Sequence, residues 1–88
     1  MEVPASLQIR IAKHIMRLAQ LSDGNEAILK DLYEVCVVIN DCVQDEYSIA
    51  RDLMEYIEEC WKMAAGRGDE RWRDELLETL QDDIDRED

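Results

Sequence analysis

Phenylalanine is absent from this sequence, and proline and histidine occur once each, as Pro4 and His14. One histidine and three scattered cysteines, with no C-x-x-C pair among them, lack the ligand spacing of a zinc site, and no sequence-close pattern joins the histidine to a cysteine nucleophile. Glycine occurs only at positions 24, 66 and 68, so no glycine-rich loop exists to cradle a phosphate. No run of about 18 apolar residues is present, which excludes a spanning helix. Met1 to Leu21 is interrupted by Arg10, Lys13 and Arg17, so it reads as a helix of the domain and not as a secretion signal. The three cysteines, an odd number, make no closed disulfide framework. Cys36, Cys42 and Cys60 lie among apolar residues and are expected to be reduced core thiols of a cytoplasmic protein.

Positive charge is also scarce. Ten basic residues face 22 acidic ones, for a net charge of −12. Such a surface repels nucleic-acid phosphates and anionic membranes, so direct binding to either is not expected. The favoured partner is a basic protein surface. The charge is uneven. Residues 1–22 hold Glu2 against Arg10, Lys13 and Arg17, whereas everything after them is strongly acidic.

What is present is enough for a core. Apolar residues make up 47% of the 88, which separates this chain from acidic disordered ones. A chain this short buries only about 60% of its unfolded surface, so oligomerisation would be a natural supplement.

The apolar residues recur at helical spacing. Leu7, Ile11, Ile15 and Leu18 form one stripe, widened by Ala12, Met16 and Ala19, behind a helix-starting Pro4. Asp23 and Glu26 have capping-box spacing for the next helix. From Asn25 to Ala65 there is neither Gly nor Pro. Ile28, Leu32, Val35, Ile39 and Cys42 form one stripe there; Ala50, Leu53, Ile57, Cys60 and Ala64 form another. A single helix over this stretch would be about 60 Å long, too long for a small domain, so a break is expected near residues 41–46. The β-branched run at 35–39 has strand character but no strand elsewhere to pair with. Gly66 suits a helix C-terminus and Asp69 the next N-cap, after which Trp72, Leu76, Leu77, Leu80 and Ile84 set the last stripe. The expected fold is all-α: one domain, a compact antiparallel bundle of three to four helices near 4–21, 25–43, 46–65 and 69–84, with an acidic frayed end at 85–88.

Three constellations carry functional expectations. "DELLETLQDDIDRED", residues 74–88, holds eight carboxylates and one arginine. On a helix Asp74, Glu78, Asp82 and Asp85 make one ridge with a carboxylate about every 6 Å, able to imitate a phosphate row in a basic groove. The plain alternative is a solvated helix face. Calcium is a poor fit, because the segment has no glycine and no spaced glutamate to complete a loop. Asp52, Glu55 and Glu59, preceded by Asp45 and Glu46 and flanked by Arg51 and Lys62, form a second acidic stripe. The third is the turn around Trp61 and Trp72. The usual reading is that the indoles plug the core, where they could stack across the turn; the alternative is that one Trp is exposed as an interface anchor, and Arg71, Trp72 and Arg73 make the turn a candidate contact centre, since Trp and Arg anchor interfaces.

These features favour binding over catalysis, with no cofactor, metal or catalytic residue assigned. The leading expectation is a small acidic regulator or inhibitor that docks on a basic surface of a nucleic-acid-handling protein. In composition, though not in any motif, the chain resembles the small anti-defence proteins of phages and mobile elements, anti-CRISPR proteins among them. The alternative is a helical assembly module, such as a homodimer, adaptor or chaperone-like subunit, pairing through apolar seams.

Overall fold

Cys36, Leu80 and Ile84 are wholly excluded from solvent, and Leu29, Leu53 and Ile57 nearly so, although they come from three different helices. The computed structural model describes residues 4–42 and 49–87. Within them the chain forms α1 (Ala5–Leu21), α2 (Glu26–Cys42), α3 (Ile49–Ala64) and α4 (Glu70–Glu87), with no strand among the described residues. This is an all-α bundle whose longest dimension is 37 Å. The β-branched run at 35–39 lies inside α2, and the expected break falls largely in residues outside the described ones. No described helix is long and apolar enough to cross a membrane.

The turns are built by a few residues. At the end of α3 the Gly66 N–H donates to the Met63 carbonyl and the Arg67 N–H to the Lys62 carbonyl. Gly66 has φ 76°. This paired pattern closes a helix through a left-handed residue, where glycine carries no Cβ penalty. The chain then turns so tightly that a Cβ on Gly68 would lie 2.5 Å from the Met63 nitrogen and 2.8 Å from its Cα. Asp69 caps α4 as expected, its Oδ1 accepting the Arg71 and Trp72 N–H groups at 2.9 and 3.3 Å. Two expectations at the other caps are corrected. Asn25, not Asp23, caps α2, its Oδ1 accepting the Ile28 N–H. Asp23 is drawn into the turn at φ 50°. Pro4 stands just outside α1 in an extended conformation.

α3 is the hub, packing against all three other helices. It buries Ile49, Ala50, Leu53, Tyr56 and Ile57, and α4 adds Leu76, Leu80 and Ile84. Burying each such large apolar side chain stabilises the fold by roughly 1.5–3 kcal/mol. The final helix continues through residues 85–87, where fraying was expected.

On α1 and α2 the buried face is rotated from the expected stripe. α1 buries Ile9, Ala12, Ile15, Met16 and Ala19, with Ala12 and Ala19 at the centre of contact. Leu7 and Leu18 remain exposed. α2 buries Leu29, Leu32 and Cys36, while Ile28, Val35 and Cys42 face out. Both helices are apolar over more than one face, so periodicity alone could not choose between stripes. Small residues on α1 and Cys36 on α2 allow closer approach to the hub than the larger stripes would.

Candidate functional site

The outer face of α4 is set by its inner one. With Leu76, Leu80 and Ile84 held in the core, the 3.6-residue period turns Asp74, Glu78, Asp82 and Asp85 outward, and all four are exposed. Glu75 joins them. One shallow depression on this face is lined by Glu70, Arg71, Asp74, Glu75 and Glu78, and a second by Trp72, Glu75, Leu76, Glu78, Thr79 and Asp82. Glu75 and Glu78 belong to both. Glu75 is not part of the ridge read from the sequence; its i,i+3 step to Glu78 was the signal for its place in the face.

Trp72 is 46% exposed, as is Trp61. The two indoles line separate depressions, Trp72 on α4 and Trp61 beside Tyr33, Glu58, Lys62 and Arg67 between α2 and α3. The expected stacked core plug is therefore corrected. Leu76, Leu80 and Ile84 hold α4 down without either tryptophan, which leaves Trp72 half free at the N-terminal end of the acidic face.

The flanking arginines divide. Arg71 is exposed in the first depression. Arg73 is half-buried, and its guanidinium lies 3.3 Å from Asp74 Oδ1 and 3.8 Å from Glu70 Oε1. Arg73 also lines a cleft of about 580 Å³ between α1, α3 and α4, together with Gln20, Tyr56, Cys60 and Leu77. It is thus turned toward its own chain and not toward a partner. Burial pushes the Tyr56 hydroxyl up to about 12, reinforced by the adjacent Cys60, and burial raises Cys60 in turn. Both groups stay protonated at neutral pH, so the cleft holds no nucleophilic thiolate.

The second acidic stripe is not assembled as expected. Glu55 is exposed and Asp52 half-buried, but Glu59 is 7% exposed. The Glu59 Oε1 accepts the Asp69 N–H at 2.6 Å, which ties the loop before α4 onto α3. This carboxylate is structural and is withdrawn from any docking face. Lys62 pairs with Glu58 at 3.7 Å. Asp45 and Glu46 lie outside the described residues. His14 is exposed on α1.

Chemically, a face of carboxylates with an indole at one end suits lysine and arginine side chains. Carboxylates accept charge-assisted, often bidentate, hydrogen bonds from guanidinium, and an indole face attracts a cation. Among the described residues no group of three or more His, Cys, Asp or Glu side chains is placed to hold a metal ion. No protein-family model, curated protein or solved structure matches this chain.

Proposed function

We propose that this chain is an acidic regulator that binds another protein, docking the outer face of α4 onto a basic surface that otherwise receives nucleic acid. One observation carries the reading. Asp74, Glu75, Glu78, Asp82 and Asp85 share one solvent face of a single helix that is held rigid from behind by three buried residues. A fixed row of charges on a rigid rod is pre-organised, so little ordering is needed on binding. The net charge of −12 adds long-range attraction toward a basic groove and speeds encounter. Trp72 supplies an anchor of the type that dominates interface energetics, and Arg71 stands beside it.

The test starts from immobilised chain and an extract of the native host. A captured partner that binds nucleic acid, is displaced by added DNA or RNA, and leaves with rising salt supports the reading. A partner retained in high salt, indifferent to nucleic acid, contradicts it. A second reading, a helical assembly module, is favoured by a separate observation: apolar side chains left outside the core on α1 and α2. Leu53 and Ile57 on α3 and Leu76 and Leu80 on α4 are occupied within this chain's own core, so such pairing would use α1 and α2.

A further inference from the structure

Among the described residues, six of the eight large apolar side chains left exposed lie on α1 and α2: Leu7, Leu18, Leu21, Ile28, Val35 and Val38. Leu21 is 71% exposed and Val38 63%. Where such side chains adjoin, exposed apolar surface marks an interaction site in a folded domain.

The six are neighbours by helix geometry. On α1, Ala19 and Gln20 line the cleft facing α4, so Leu7 and Leu18 fall on the opposite flank, beside half-buried Ile11. On α2, Tyr33 faces α3 through the depression it shares with Trp61, so Ile28 and Val35 fall on the flank away from it. α1 and α2 touch each other, and these flanks border that junction. The result is a face about 25 Å long and roughly 20 Å wide, two helices across. Its footprint of roughly 500 Å² approaches the roughly 800 Å² of accessible surface each partner contributes to a standard interface.

The charges on this face separate by helix. α1 carries Arg10, Lys13 and Arg17 and no acid; α2 carries Glu26, Asp31, Glu34 and Asp41 against Lys30 alone. The difference is +3 on one helix and −3 on the other. Arg10 and Arg17 lie on the exposed side of α1, and Asp31 and Glu34 on the exposed side of α2. A face with an apolar centre, one basic helix and one acidic helix is complementary to itself after a half-turn. Two-fold symmetry lays α1 of each copy on α2 of the other, as an isologous interface requires.

We infer that the outer faces of α1 and α2 form an interface between two copies of this chain. The inference is independent of the acidic docking reading. Among the described residues α4 makes no contact with α2, so a dimer built on this face still presents the α4 ridges, now two of them. Paired ridges raise the effective concentration of the second contact on any partner that offers two basic sites.

Sedimentation equilibrium of the full chain over a range of concentrations tests the inference. The expected result is a species of twice the 10.3 kDa chain mass. The double variant Leu18→Asp/Val35→Asp alters only exposed positions. It should keep its helical spectrum while its dimer dissociation constant rises roughly tenfold or more. Two charge-reversed chains give a second, sharper test. Arg10→Glu/Arg17→Glu makes both helices acidic, and Asp31→Lys/Glu34→Lys makes both basic. Each alone should dimerise poorly, and an equimolar mixture should form a heterodimer. A wild-type chain that stays monomeric at every concentration overturns the inference and leaves the face to a different protein. A dimer unaffected by the Leu18/Val35 substitutions overturns it as well, because its interface then lies elsewhere.

Discussion

The Glu59 carboxylate on α3 accepts the backbone N–H of Asp69 at 2.6 Å, and the Asp69 carboxylate in turn caps α4 through the Arg71 and Trp72 N–H groups. Glu59, which its spacing assigns to an acidic stripe, is joined here to the capping Asp69 in a structural relay. It fixes where α4 begins and hence which way its acidic face points. Replacing Glu59 with Ala leaves the Asp69 N–H without its partner and should lower stability by about 1–3 kcal/mol. Glu59→Gln keeps an acceptor and should lose less. Urea midpoints of the two variants check this; equal midpoints for Glu59→Ala and wild type would sink the relay.

Gly68 serves the same junction from the other side. A Cβ there meets the backbone of Met63, which cannot swing aside as a side-chain tip could. Gly68→Ala should therefore destabilise the chain by roughly 1–3 kcal/mol, the range for forced overpacking. Gly66→Ala should also be unfavourable, but through its φ of 76° and not through a clash, since its Cβ would point into open space. Thermal melts of the two variants separate these causes if Gly68→Ala alone also shifts the near-ultraviolet signal of the nearby tryptophans.

Alkaline pH should weaken the fold. Burial pushes the Cys36 thiol from 9.0 up to about 11, so the folded chain holds a proton that the unfolded chain releases. The stability tied to that difference is complete below about pH 9 and lost as pH rises to about 11, for a total of about 2–3 kcal/mol. Tyr56, pushed up to about 12, extends the decline to higher pH. Urea titrations at stepped pH read the slope. Cys36→Ala should flatten it between pH 9 and 11, and an unchanged slope in that variant would refute the assignment.

The three thiols should label at three different rates. Cys42 is exposed at the end of α2, Cys60 is half-buried beside Tyr56, and Cys36 is inaccessible. In dilute native protein a thiol reagent should modify Cys42 first and Cys60 more slowly, whereas Cys36 should react only on unfolding. Peptide mass mapping over time reads the order. Early loss of Cys36 would contradict the core described above.

The fold class was legible because periodic apolar stripes fill most of the chain and glycines mark the turns after α1 and α3, where Gly66 and Asp69 do as their chemistry predicts. The facing of individual helices was less legible. α2 carries Ile28 and Val35 on one side and Leu29 and Cys36 on another, and only the position of α3 decides between them. The ridge on α4 was readable because Leu76, Leu80 and Ile84 leave it one orientation. The burial of Glu59 was not, since it depends on a contact with residue 69 across a turn. The exposure of Trp72 was one of two readings open in the sequence, because tryptophan both fills cores and anchors interfaces.

The docking role we propose for the α4 ridge rests on its charge. Its most direct measurement compares association rates of the captured partner with wild type and with Asp74→Asn/Glu78→Gln/Asp82→Asn/Asp85→Asn, across a series of salt concentrations. All four positions are exposed, so the variant should keep its fold and melt at or slightly above the wild-type temperature. The variant should associate more slowly at low salt, with a shallower dependence on ionic strength, and the two rates should converge at high salt. Equal association rates at low salt would contradict it and show the acidic ridge to be a solvated helix face.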